Sequence, residues 1–192
     1  MTPNEKSQRL IEAASAVLHA APAHSLNVVV LNKVLFYLDL VSLRDRGETV
    51  TQNSYIALQN GPVIAKYPQR LIAPMEEKGI ARQDSRWDAA KPLVLVKSPK
   101  HFEFLNSDSM IIVSDVVAFF ADATSAAASD YSHKNPGWQI AWNQYQRERK
   151  PVAINMRIAM QQIIECDPWM TTPLVNDDEI LAAADAGMGD DW

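Results

Sequence analysis

Four histidines, one cysteine and a few charges set in apolar sequence are the residues of this chain whose types could do chemistry. His19, His24, His101 and His133 fall in different segments, and none stands at a metal-site spacing from another His or from Cys. The chain contains no H-E-x-x-H, no G-x-G-x-x-G and no Walker-type glycine-lysine run, and its six glycines leave little for a phosphate-cradling loop. Cys166 lies between Glu165 and Asp167, two carboxylates that oppose thiolate formation. Ser132 and His133 are neighbours, which on a helix do not face each other as nucleophile and base must. The plainer expectation is that Ser132 closes a helix end while His133 makes a local hydrogen bond. No catalytic residue, no cofactor and no metal is therefore expected, and the chain does not read as an enzyme.

Binding chemistry is better represented. Lys33 and Asp39 interrupt a long apolar run, six residues apart and so on different faces of a helix. Each needs a partner or water, because an unpaired buried charge is costly. Asp39 is expected to accept from a loop backbone and Lys33 to reach solvent along its aliphatic stem, with Tyr37 one turn after Lys33 extending the polar patch. Gly61-Pro62-Val63 reads as a sharp turn followed by a helix start, with proline in the first helical position. Arg147, Arg149 and Lys150 form the densest basic cluster, after Trp138, Trp142 and Tyr145. Cations among aromatics suit nucleic acid, but Glu148 interrupts the charge and the aromatics follow the spacing of a packed helix face.

These residues need a scaffold, and the length and composition allow one. The 192 residues, 47% hydrophobic and 21% charged, have the balance of a globular chain with one main core. The net charge of -5 comes from the end of the chain: residues 176–192 hold six acids and no base, leaving 18 basic against 17 acidic residues elsewhere. That overall charge neither excludes nor indicates a locally basic nucleic-acid surface. The single cysteine and the lack of a long apolar stretch near Met1 point to the cytoplasm, and no run has membrane-spanning length, so no membrane partner is expected.

Apolar spacing predicts a helix over Glu5–Ala20 that Pro22 ends, then a helix from after Ser25 to Leu43, buried on nearly all faces and stopped at Gly47. A strand is expected near Tyr55–Leu58, a helix kinked by Pro68 and Pro74 over Val63–Lys78, and strands over Ile80–Gln83, Leu93–Lys97 and His101–Leu105. Further helices follow from Ser107 or Asp108, after Thr124, over Trp138–Lys150 and over Asn155–Cys166. The fold class is α+β, predominantly an α-helical bundle with a small antiparallel β-sheet. One domain is expected over 1–175, followed by an acidic, flexible tail over 176–192.

Two separated strings carry a resemblance. In LNKVLFYLDL, followed by the GPV turn, Leu31, Lys33, Leu35, Phe36, Tyr37, Asp39, Gly61, Pro62 and Val63 match the opening of the Panacea family, the SocA-like and phage-associated GepA-like antitoxin domain. In SHKNPGW, Ser132, His133 and Trp138 match that family's Ser/Thr-His element and its following tryptophan. Pro68 and Pro74 depart from the unbroken helix usual there. The resemblance spans about Leu26 to Trp142 and implies protein recognition in place of catalysis: an antitoxin that binds and neutralises a cognate toxin protein encoded beside it. It also implies an alternative, an adaptor delivering a bound client to a bacterial protease through its unfoldase. A DNA-binding regulator of its own operon is the third reading. Partner-binding candidates are Lys33, Tyr37, Asp39, Gly61, Pro62, Val63, Ser132, His133 and Trp138.

Overall fold

Asn27 starts the helix around which the molecule is built: its side chain accepts the Val29 amide at 2.7 Å and so caps an otherwise orphaned donor. In the computed structural model, which describes residues 3–83, 92–99 and 101–165, that helix (α2, Val28–Arg46) ends at Gly47 in the left-handed conformation with φ 77°. From Val30 to Ser42 every residue is buried. The expected start after Ser25 gives way to a short strand, β1 (Ser25–Asn27), whose residues pair with a later strand up to the Asn27 cap, while the β-branched Val28–Val30 run is helical.

The helices α1 (Pro3–Ala20), α4 (Ser107–Phe120), α5 (Ser125–His133) and α8 (Gln161–Glu165) pack around α2. Phe36, Tyr37, Tyr55, Phe119, Phe120 and Tyr131 form an aromatic core with centroid separations of 5.0 to 6.0 Å. Asn106 caps α4 one residue before the expected Ser107, and Thr124 caps α5 where the sequence placed it. α4 and α5 are apolar enough together for a membrane span but turn 110° between them and lie against α2; no single helix among the described residues is long and apolar enough to cross a membrane.

Beside the helices lie two small antiparallel sheets. One has the order β1–β5–β4, with β4 (Ala81–Gln83) and β5 (Pro92–Leu95) near their expected places and with Leu26 opposite Leu93 and Arg82 opposite Val94. The expected strand over His101–Leu105 is not formed. Its amides are taken by one carboxylate instead: Glu12 of α1 accepts from Glu103 N at 2.9 Å, Phe104 N at 2.6 Å and Leu105 N at 2.9 Å. β5 pairs with β1 in place of that segment.

The second sheet is a hairpin of β2 (Tyr55–Leu58) and β3 (Gly61–Ile64), so Gly61, Pro62 and Val63 lie in a strand and not at a helix start. On the far edge of β2, Val152 O accepts from Ala57 N at 3.2 Å and Ile154 N donates to Tyr55 O at 2.8 Å. The helix expected over Val63–Lys78 begins only at Pro68, as a π-helical turn (Pro68–Ile72) leading into α3 (Ala73–Glu77). Each proline opens its own piece, where its missing N–H costs nothing.

α6 (Pro136–Glu148) and the short α7 (Met156–Ala159) close the hairpin side. Gly137 allows that closure: a Cβ there would stand 2.8 Å from Ala159 Cβ and N. The acidic stretch over 176–192 and Cys166 lie outside the described residues.

Candidate functional site

The two strings that carry the resemblance meet at the tip of the β2–β3 hairpin. Trp138 Nε1 donates to Leu58 O at 3.2 Å, His133 Nε2 to Gln59 O at 3.0 Å, Ser129 Oγ to Asn60 O at 3.1 Å and Lys33 Nζ to Pro62 O at 3.3 Å. Four carbonyls around one turn thus receive side chains from three different helices. Because a carbonyl only accepts, Nε2 is the protonated nitrogen of His133. Its bond spans 74 residues and is not the local one expected, and its ring stacks on Trp138 with centroids 4.2 Å apart.

Gly61 is what lets the clamp close. Its φ of 100° is a conformation other residues rarely adopt, and a Cβ there would collide with Ser132 Oγ and stand 2.6 Å from Lys33 Cε and 2.9 Å from Nζ. Ser132 Oγ donates to Ser129 O at 2.8 Å, closing the last turn of α5 as expected. Lys33 does not reach solvent; it has no exposed surface. Together with Asn32, whose Oδ1 accepts the Ile64 amide at 3.0 Å, it seals the outer edge of β3. Burying an ammonium costs several kcal/mol. One long hydrogen bond returns only ~1.5–3 kcal/mol. Burial accordingly lowers the Lys33 pKa from its ordinary 10.5 to about 7.

Asp39 and Tyr37 are equally interior. Asp39 Oδ1 accepts the Thr51 amide at 2.8 Å, the loop-backbone contact the sequence led us to expect, and Oδ2 accepts from Thr51 Oγ1. Tyr55 Oη lies 2.8 Å both from Asp39 Oδ2 and from Leu35 O, yet has one hydrogen to give. That hydrogen is shared between the two acceptors, Asp39 Oδ2 and Leu35 O. Burial raises the Asp39 pKa to about 6 against the lowering effect of the Thr51 and Tyr55 bonds. Tyr37 Oη donates to Gln162 Oε1 at 2.9 Å, and Asn135 Nδ2 donates to the same oxygen at 2.9 Å. Burial holds the Tyr37 phenol well above its ordinary pKa.

Of the nine sequence-marked residues, Lys33, Gly61, Pro62, Ser132, His133 and Trp138 gather at the hairpin tip, while Tyr37 and Asp39 secure α2 elsewhere; Val63 pairs with Ile56 in the hairpin. Sequence reasoning missed Ser129, Asn135, Gln162, Gln59 and Asn60. The available signal was the turn-forming Asn60-Gly61-Pro62; in the hairpin the two loop residues are Gln59 and Asn60, between Leu58 and Gly61. Gln59 and Asn60, whose backbones are clamped, carry exposed side chains.

Below the tip opens a groove of about 1110 Å³. The first turn of α2, the hairpin, the π-helical turn and α6 wall it, through residues that include Val28, Leu58, Tyr67, Trp142 and Tyr145. Trp138, Trp142 and Tyr145 stack in a column, with successive centroids 5.6 and 5.1 Å apart. His19 and His24, placed in different segments by the sequence, stack with centroids 5.3 Å apart, but no cluster of three or more His, Cys, Asp or Glu suited to a metal exists among the described residues.

A family model described as "Antitoxin SocA-like, Panacea domain" matches residues 31–139, more than half of the chain. The chain belongs to that family. Its matched span runs from the second turn of α2 into α6 and so holds every donor of the clamp. None of the curated proteins and none of the solved structures searched matches the chain. Membership places this Panacea domain broadly among toxin–antitoxin systems.

Proposed function

We propose that this protein is an antitoxin that binds the toxin encoded beside it and neutralises it by stoichiometric occlusion, working in the cytoplasm and catalysing nothing. Family membership supports the class of system. The observation that carries the binding mode is the clamp: four side chains hold the backbone of one turn and leave Gln59 and Asn60 exposed at the rim of a large groove. A recognition loop fixed in advance loses less conformational entropy when it docks. On this reading Lys33, Tyr37, Asp39 and Ser132 act through the scaffold, and the partner touches the tip and the groove walls.

The test is co-expression of the neighbouring reading frame with and without this protein, followed by co-purification and calorimetry. Relief of toxicity with a stable one-to-one complex is expected. Absence of any association removes the reading.

A further inference from the structure

We propose, resting on the antitoxin reading above, that Gln162 is a positioning residue for the recognition turn: from outside the family-matched span it ties together the three helices that deliver the clamp's donors, and so sets affinity for the toxin without touching it. Those donors come from α2 (Lys33), α5 (Ser129 and His133) and α6 (Trp138). One side-chain amide on α8 meets all three helices. Gln162 Oε1 accepts from Tyr37 Oη of α2 at 2.9 Å and from Asn135 Nδ2, at the cap of α6, at 2.9 Å, while Gln162 Nε2 donates to Tyr131 O of α5 at 3.3 Å.

Each of these bonds lies about one helical turn or less from a clamp residue. Tyr37 follows Lys33 by four residues on α2, so the two side chains share a face. Tyr131 lies between Ser129 and His133 on α5. Asn135 Oδ1 accepts the Trp138 amide at 3.1 Å and its Nδ2 also donates to Ala159 O at 2.9 Å, so the residue that opens α6 is held by α7 and α8 together. The orientation of the Gln162 amide is fixed from both ends, since Asn135 presents a donor and Tyr131 a carbonyl that only accepts. The family match stops at residue 139, yet the chain after α6 also covers the outer edge of β2, with Ala153 opposite Ile56. Ala159, packed on Gly137, and Ile163 have no exposed surface, which anchors the short helices on either side of Gln162. A junction in which every donor and acceptor is used locks the rotamers of the side chains it supports.

The experiment measures the affinity of the purified full-length protein for the neighbouring gene's product by calorimetry, and exchange of the Trp138 indole proton by NMR in the free protein. The wild type is compared with Gln162→Leu, which removes all three bonds, with Gln162→Glu, and with Glu12→Ala, a destabilising control that acts on the 103–105 segment. All are studied well below their melting temperatures. Gln162→Leu is expected to weaken binding by about 10-fold and to speed indole exchange by about as much, whereas Glu12→Ala leaves both unchanged whatever its loss in melting temperature. Gln162→Glu adds a pH profile. Its protonated carboxyl reproduces all three bonds, with the O–H donating to Tyr131 O, whereas its carboxylate sets an acceptor against that carbonyl. Relative to the wild type at the same pH, its affinity should recover by about 3-fold or more as the pH falls from about 7.5 to 5. Normal affinity and indole exchange in Gln162→Leu, equal losses in Glu12→Ala, or a Gln162→Glu ratio that stays level or falls as the pH drops overturns this inference and leaves the antitoxin reading standing. No complex with the wild type removes both. If Gln162→Leu does not fold, the Gln162→Glu ratio decides alone.

Discussion

Gly61 concentrates the physics of the site in one residue. It combines a backbone angle of 100° with contact distances that leave no room for a methyl group against Ser132 and Lys33. Gly61→Ala should therefore cost ~2–4 kcal/mol in urea unfolding, well above the ~1 kcal/mol of an ordinary substitution. The two buried charges make opposite predictions for pH. Asp39 titrates near 3.8 when unfolded and about 6 when folded, so between pH 4 and 6 the folded chain holds a proton the unfolded chain has lost. Stability should fall across that window by ~3 kcal/mol and be level above it, and Asp39→Asn should flatten the profile in melting scans. Lys33 releases its proton about pH 7 when folded but near 10.5 when unfolded, so its contribution to stability rises with pH between those values. Lys33→Met should be the more stable protein at pH 6, with an advantage that shrinks toward pH 10.

Elements show where sequence patterning succeeds and where it fails. α2 was legible because thirteen successive buried positions leave an unmistakable apolar run and because Gly47 stops it. The caps of α5 and the pieces split at Pro68 and Pro74 were legible for the same local reason. What patterning could not show was a side chain replacing a strand: Glu12 satisfies three amides of the 103–105 segment from 91 to 93 residues away. Glu12→Ala should cost ~1–3 kcal/mol and speed amide exchange at 103–105 while leaving β4 and β5 protected. Gly61-Pro62-Val63 misled for a related reason. Proline after glycine suits a helix opening, but its missing N–H equally suits a strand edge, where only its carbonyl needs a partner and Lys33 provides one.

The whole molecule joins two stretches of sequence, some seventy residues apart, at one turn. Lys33 was expected to face solvent and His133 to bond locally because neither the depth of α2 nor the position of the hairpin is written in local spacing. Their common target became visible only with the chain folded. If the family's marked residues serve to hold Gln59 and Asn60 in place, then loosening the clamp should mobilise the tip without unfolding the rest. The direct measurement is amide hydrogen exchange over Tyr55–Ile64 in the free protein, compared between the wild type and His133→Ala/Trp138→Phe. At least about tenfold faster exchange in that segment, with α1 and α4 protected as before, is the predicted result. Unchanged exchange at the tip would contradict the account.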